Sequence, residues 1–206
     1  MELARRCGID AAAVAVIAAA GRHALLVERF DRSTDGGRRR LVSALTVLGE
    51  TTFPGGRYAT YVRLADALRA QSTRPDVDLR ELFGRIAFNI LCSNTDDHGR
   101  NHAVFVDRAG ISLTPAYDIC PQARSGDTAF QAMAFGPDGE REARVDLLIK
   151  SSAVYHLDHS AAREIVDYQV DTISAGWDEV CDLAHLTVAE AGALRGTQFL
   201  HPSGFR

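Results

Sequence analysis

Leu79, Leu82, Phe83, Ile86, Ile90 and Leu91 recur at the i, i+3, i+4, i+7 spacing of one helical face, the strongest periodic signal in the chain up to that point. The sequence then turns polar at once. Ser93-Asn94-Thr95-Asp96-Asp97-His98-Gly99-Arg100-Asn101-His102 carries two Asp, two His and two Asn within ten residues, and apolar sequence resumes from Ala103 to Val106. Such groups, set between core-forming segments, are costly to bury unless they are paired. A polar loop held by rigid elements is also where catalytic groups tend to sit. The helix and the loop behind it frame the rest of the chain, and the loop is a candidate site.

A chain of 206 residues can bury a full core as one domain or two closely packed subdomains. Its 46% hydrophobic and 24% charged residues are ordinary for a globular protein. The formal charge of −4 argues against a nucleic-acid-binding surface, so no direct nucleic-acid binding is expected. Cys7, Cys92, Cys120 and Cys181 show no CxxC spacing; neither a zinc ribbon nor a disulfide framework is indicated, and a reducing cytoplasm fits best. Arg5-Arg6 ahead of the Ala-rich run Ala11 to Ala20 imitates a signal peptide. Gly8 and Asp10 interrupt that pattern, and the run is too short and too weakly apolar to span a bilayer, so no membrane contact is expected. Among 23 basic residues the only lysine is Lys150.

Along the chain, Glu2 to Cys7 reads as a helix end stopped by Gly8. A hairpin across Gly21-Arg22 is expected to lead into a buried strand, Ala24 to Phe30. Ser33 to Arg40 reads as a surface loop, Leu41 to Leu48 as a short helix, and Thr51 to Gly56 as a loop built on Pro54-Gly55-Gly56. Tyr61, Leu64, Ala65 and Leu68 share one helical face. Asp78-Leu79-Arg80-Glu81 resembles a capping box that opens the next helix. Beyond the polar loop, Ala103 to Val106 and Ile111 to Leu113 read as a hairpin around Asp107-Arg108-Ala109-Gly110, followed by extended chain at Pro115 to Ile119. Gln122 to Arg144 reads as a long irregular loop. A helix follows with the stripe Val166, Val170, Ile173, Trp177 and Val180, then a second one opened by a capping box at Thr187 to Glu190 and ended by Gly196.

Within the polar loop, Asp96 and Asn101 stand as D-x-x-x-x-N. In protein kinases that spacing joins the Asp that accepts the substrate hydroxyl proton to an Asn that holds magnesium. A base must face the attacking hydroxyl while a neutral oxygen ligand holds the cation on the phosphates. Asp118, just after the hairpin, lies where a kinase carries its second metal-binding carboxylate. The bland reading makes Asp96, Asp97 and Asn94 turn residues that bond their own backbone. His98 and His102 at i, i+4 could ligate zinc with Asp96 or Asp97 if they were helical, but Gly99 lies between them and a strand begins at Ala103. A structural role beside the base is expected for His98 and no role for His102. Tyr117 and Phe88 read as core.

The stretch Phe88 to His102, followed by Pro115-Ala116-Tyr117-Asp118, resembles the C-terminal catalytic domain of HipA-type serine/threonine kinases, the toxins of bacterial toxin–antitoxin systems. Leu26-Val27-Glu28-Arg29-Phe30-Asp31-Arg32 resembles the segment that joins that family's two lobes, and the likeness extends over nearly the whole chain. The resemblance implies a mainly α, α+β fold: a helical C-lobe with a small β portion made of a hinge strand and a catalytic-loop hairpin. Residues 1–32 would be a remnant of the N-lobe with the hinge strand, and residues 33–206 the helical lobe. It implies Asp96 as the catalytic base with His98 beside it, and Asn101 and Asp118 as magnesium ligands. Glu28 and Phe30 would meet adenine through backbone groups, with Asp31 in the same nucleotide-binding segment. The implied cofactors are ATP and Mg²⁺; the implied partners are a protein substrate offering Ser or Thr and a HipB-like DNA-binding antitoxin.

One departure is large. A kinase of this kind also uses a Gly-rich phosphate loop and a strand lysine. Gly36-Gly37 and Gly55-Gly56 lack G-x-G-x-x-G spacing, and Lys150 follows every motif. An arginine is no simple replacement, because its planar fork places charge differently from an ammonium. Met1 also falls inside what looks like the family's helix before the hinge. The expectation is an ATP-dependent Ser/Thr kinase lobe that is inactive or weak alone, its phosphate-clamping half supplied by a separate chain or lost by truncation. The alternatives are a non-catalytic binding module derived from that lobe and a metal-dependent hydrolase using Asp96, Asp97, His98 and His102.

Overall fold

The computed structural model describes residues 1–50, 59–124 and 126–205. The loop expected over Thr51 to Gly56, with its Pro54-Gly55-Gly56 turn, lies outside the described residues. Helix α1 (Glu2–Arg6) buries Leu3 and Ala4 and is followed by Gly8 at φ +80°. A hairpin follows, β1 (Val14–Ala19) and β2 (Arg22–Val27), with Ala19 opposite Arg22. Its turn residues are Ala20 and Gly21, at φ 49° and 75°, one position earlier than expected; two positive φ angles match the twist of the flanking strands. The expected buried strand Ala24 to Phe30 needs a larger correction. β2 ends at Val27, and Leu25, Leu26 and Val27 are 58%, 51% and 49% exposed. The apolar run was correct as a strand, but its sheet has two strands only and no described element covers it.

The second sheet has the order β3-β4-β5, all antiparallel: β3 (Leu41–Ser43), β4 (Ala103–Val106) and β5 (Ile111–Leu113). The β4–β5 hairpin falls where expected, its turn held by the Asp107 carboxylate accepting from the Ala109 N–H at 2.8 Å. β3 replaces the first part of the helix expected over Leu41 to Leu48. Val42 pairs with Val104, and only then does a four-residue helix α2 (Ala44–Val47) begin, capped by Ser43 Oγ accepting from the Thr46 N–H. Tertiary pairing here overrides a local helical pattern.

The helical body comprises α3 (Tyr61–Gln71), α4 (Pro75–Leu91), α5 (Val145–Lys150), α6 (His159–Leu183) and α7 (Val188–Leu194). Twelve of the seventeen residues of α4 are buried, so it is a core helix and not a surface one. It starts before the expected capping box, with Pro75 in its first turn. Asp78 is fully buried instead of capping: it accepts from Ser72 Oγ at 2.7 Å and from the Leu113 N–H at 3.2 Å, which ties α4 to β5. Glu81 pairs with Arg85 at 2.7 Å, and Arg85 donates to the Thr114 carbonyl at 2.8 Å. On α6, Val166, Ile173 and Trp177 are buried and Val170 and Val180 partly so, as the stripe predicts. The Thr187–Glu190 capping box on α7 is present in both halves. Among the described residues no helix is long and apolar enough to cross a membrane.

Candidate functional site

The polar loop begins where α4 is made to stop. Ser93 sits in the left-handed region at φ 53°, its N–H donates to the Ile90 carbonyl at 3.2 Å, and the Asn94 N–H reaches the Asn89 carbonyl at 2.8 Å. These two bonds close a Schellman turn with serine in the place glycine usually takes. Arg124 holds Ser93 Oγ at 3.0 Å from the far side.

From that turn the loop divides into side chains that are bolted down and side chains that are not. Asp97 is the most engaged. It is buried, and its Oδ2 accepts from Asn89 Nδ2 at 2.7 Å and from the Tyr61 hydroxyl, and lies 2.7 Å from His102 Nε2. Burial pushes the Asp97 carboxyl up, but His102, Tyr61 and Arg85 outweigh it and hold the group below its ordinary 3.8. Burial, reinforced by the Asp97 charge, raises the Tyr61 phenol well above its usual range, so it stays a neutral donor. Asn94 Nδ2 in turn donates to Asn89 Oδ1 at 3.0 Å.

Asp96, by contrast, is exposed, and among the described residues nothing donates to its carboxylate. Asn101 is buried; its Nδ2 lies 3.4 Å from the Asp96 carbonyl oxygen, and its Oδ1 is not used. Asp118 is exposed and holds φ 58°, a conformation that costs a non-glycine residue energy and recurs at functional sites. Two contacts fix the chain just before Asp118, one of them to the loop. Tyr117 donates to the Arg100 carbonyl at 2.7 Å, and the Ala116 N–H donates to the Asp10 carbonyl at 2.7 Å. Tyr117 is therefore not the core residue expected; it is half-buried, and burial lifts its phenol to about 12. Phe88 is core, as expected.

His98 bonds no residue of the candidate pair. Its Nε2 lies 3.4 Å from Arg100 Nη2, and its Nδ1 is buried without a partner among the described residues. His102 was expected to have no role and has one: it is the buried partner of Asp97. The geometry does not gather Asp96, Asp97, His98 and His102 as one ligand set. Asp97 and His102 are spent on each other, and among the described residues no three His, Cys, Asp or Glu side chains form a metal-binding group.

In the segment after β2, Phe30 is half-buried against Phe105 and Tyr117, with ring centroids 6.1 and 5.8 Å away. The Glu28 N–H is used inside the hairpin, donating to the Ala13 carbonyl at 2.8 Å. The Glu28 carbonyl and the Phe30 N–H carry no hydrogen bond among the described residues. The Asp31 carboxylate is clamped by Arg29 at 2.6 Å; that bond and the arginine charge hold its pKa down. Its carbonyl accepts from the Arg39 N–H at 3.0 Å.

Sequence reasoning missed Tyr61 and Asn89. Tyr61 reads as one more member of an apolar stripe, although a hydroxyl at the head of such a stripe needs a partner. Asn89 had a signal: an amide inside a helix apolar on all sides must be satisfied by something buried.

A two-stranded hairpin, a three-stranded sheet beside an exposed Asp and a helical body together have the make-up of a kinase-like lobe. Residues 1–177 match the HipA-like C-terminal domain family, and the chain belongs to it. The serine/threonine-protein kinase toxin HipA of Shewanella oneidensis is 31% identical over 137 residues, 58% of this chain and 32% of that protein. A Sinorhizobium fredii protein named "Putative kinase Y4mE" is 35% identical over 126 residues, 58% of this chain and 30% of that protein. A chain of the solved complex of Shewanella oneidensis HipA, HipB and operator DNA has a TM-score of 0.74 at 24% identity, covering 94% of this chain and 50% of its own; that likeness shows the fold. The chain thus matches about a third of the length of these sequence relatives. The expected α+β fold, mainly helical with small sheets, is what is found.

Proposed function

We propose that this chain is the catalytic and metal-binding lobe of an ATP-dependent serine/threonine protein kinase of the HipA type. The observation that carries the reading is the division of the loop. Asp96 and Asp118 keep unengaged carboxylates and Asn101 an unengaged Oδ1, while the residues beside them are fixed. Asp96 takes the proton of the substrate hydroxyl as its oxygen bonds to the γ-phosphorus and the bond to the β-phosphate oxygen breaks, releasing ADP. Asn101 and Asp118 offer hard oxygen donors, the set Mg²⁺ prefers, and would hold it. Bound there, the ion would neutralise charge on the phosphates. The free Glu28 carbonyl and Phe30 N–H form an acceptor and donor two residues apart, suited to an adenine edge, and Asp31 keeps that segment in place through Arg29 and Arg39. His98, with a buried free nitrogen, supports the loop beside the base. A cleft of about 320 Å³ is lined by Thr95, the residue before Asp96, together with Gln122, Arg124 and Phe130.

On this reading residues 1–32 carry the hinge and the stub of the nucleotide-clamping lobe, and residues 33–206 the helical lobe. The Gly-rich loop and strand lysine are not in these 206 residues and would come from another segment or chain. A HipB-like, DNA-binding antitoxin is the partner, a protein with Ser or Thr the substrate, and the cytoplasm the setting. Alone, the chain transfers phosphate poorly. Asp96→Asn, assayed by phosphate transfer in the presence of the clamping half, is expected to lower the rate by about a thousandfold or more while leaving ATP binding intact. A wild-type rate would remove Asp96 from the mechanism. If ATP with Mg²⁺ neither binds nor shifts the melting temperature even then, the lobe is a binding module instead.

A further inference from the structure

The candidate base and the candidate metal ligand, Asp96 and Asn101, lie five positions apart; so do the residues that follow each of them, Asp97 and His102. Asp96 is exposed and Asn101 lies beside it, its Nδ2 3.4 Å from the Asp96 carbonyl oxygen, while the second pair meets in the interior. His102 Nε2 lies 2.7 Å from Asp97 Oδ2, and both residues are 3% exposed. The other two donors to that oxygen come from α4 (Asn89) and from the first residue of α3 (Tyr61), while His102 leads directly into β4. One carboxylate oxygen therefore ties the loop to three elements of the core. Asp97 is turned inward and buried while its neighbour Asp96 is exposed, so fixing Asp97 fixes the backbone from which Asp96 projects. Anchoring His102 likewise sets the backbone from which Asn101 projects, and the Ala44 N–H holds the His102 carbonyl at 2.7 Å.

We propose that Asp97 and His102 form a staple across the loop that sets the separation and orientation of Asp96 and Asn101. Both are positioning residues. Neither touches substrate, and their pairing removes them from any ligand set. The staple's functional meaning rests on the kinase reading above; its mechanical meaning does not.

The test uses the full chain with His102→Phe, which keeps an aromatic edge on Tyr61 and loses the donor, and His102→Gln, whose amide can still donate to Asp97. Hydrogen exchange across residues 93–102 is compared with that of α6 in the same molecule. Mn²⁺ binding is measured in the presence of a non-hydrolysable ATP analogue. His102→Phe is expected to speed exchange in the loop about tenfold or more while α6 stays protected. It is expected to weaken Mn²⁺ binding by about 10–100-fold, the usual cost of losing an outer-shell partner. His102→Gln restores both. The staple is overturned by unchanged loop exchange in His102→Phe, by equal loosening of α6, which would show global destabilisation only, or by a glutamine variant as impaired as the phenylalanine one. If the wild-type chain binds no Mn²⁺ with the analogue even when the clamping half is supplied, the kinase reading fails, and the exchange comparison alone decides the staple.

Discussion

Asp97 and Asp118 are both carboxylates of the candidate site, and their surroundings predict opposite consequences of removing them. Asp97 is buried under three donors, so Asp97→Ala leaves Tyr61, Asn89 and His102 without an acceptor. Breaking a buried pair from one side costs about 3–5 kcal/mol, and urea unfolding at neutral pH should show a loss of that size. The pH dependence has a definite sign. The folded-state pKa lies below the ordinary 3.8, so the contribution is complete above about pH 5 and is lost as pH falls through the depressed value. The difference between wild type and Asp97→Ala should therefore narrow in acid; a gap that widened below pH 4 would contradict the assignment. Asp118 is exposed, unbonded and held at φ 58°. Glycine adopts that conformation without the roughly 1 kcal/mol penalty of a side chain, which offsets its greater unfolded-state freedom. Asp118→Gly is expected to unfold at the wild-type urea concentration or above it while Mg²⁺-dependent nucleotide binding disappears. Loss of stability together with loss of binding would make Asp118 structural instead.

The same contrast between covered and uncovered groups applies to elements. The β1–β2 hairpin exposes Val16, Ile17, Leu25, Leu26 and Val27, and a two-stranded ribbon is marginal without a layer against it. Its holds on the rest are the Ala12 N–H to Ala116 carbonyl bond at 2.9 Å and the stacking of His23 on His185, rings 5.7 Å apart. Leu25→Thr with Leu26→Thr should therefore change unfolding free energy by no more than about 0.5 kcal/mol per site, as at other surface positions. A loss of about 2–5 kcal/mol, as for buried leucines, would show that the hairpin is covered in solution. Periodicity found this hairpin and its strands because alternation and turn residues are local properties. It misread burial because whether a strand is covered depends on elements elsewhere. The same limit explains β3. Leu41-Val42-Ser43 became a strand only because β4, about sixty residues later, offers an edge at Val104. It explains Asp78 too, whose local pattern promised a cap but whose carboxylate is taken by Leu113. The helices α4 and α6 and the β4–β5 hairpin were readable, since each rests on spacing within one short stretch. The network under the loop was not, because Tyr61 and Asp97 are 36 positions apart.

For the molecule as a whole, the deciding quantity is charge against nucleotide. The chain carries a formal −4, presents carboxylates at the candidate site, and has no lysine before residue 150. ATP adds several more negative charges, and like charges disfavour association unless a cation or a clamp intervenes. The lobe alone should therefore bind ATP weakly, and more weakly without Mg²⁺. With a dissociation constant near 1 mM, ligand at 1 mM adds only about 0.4 kcal/mol of stability, a shift of a degree or two in melting temperature. Joining the chain to a segment that carries a Gly-rich loop and a strand lysine would supply the phosphate-side half. Binding a hundredfold tighter would then raise the stabilisation at the same ligand concentration to about 2.7 kcal/mol. The shift should be lost again in Asp118→Asn, because the gain depends on both halves meeting the same phosphates. An equal, small shift in the isolated lobe and in the joined protein would mean that this surface does not complete a nucleotide site.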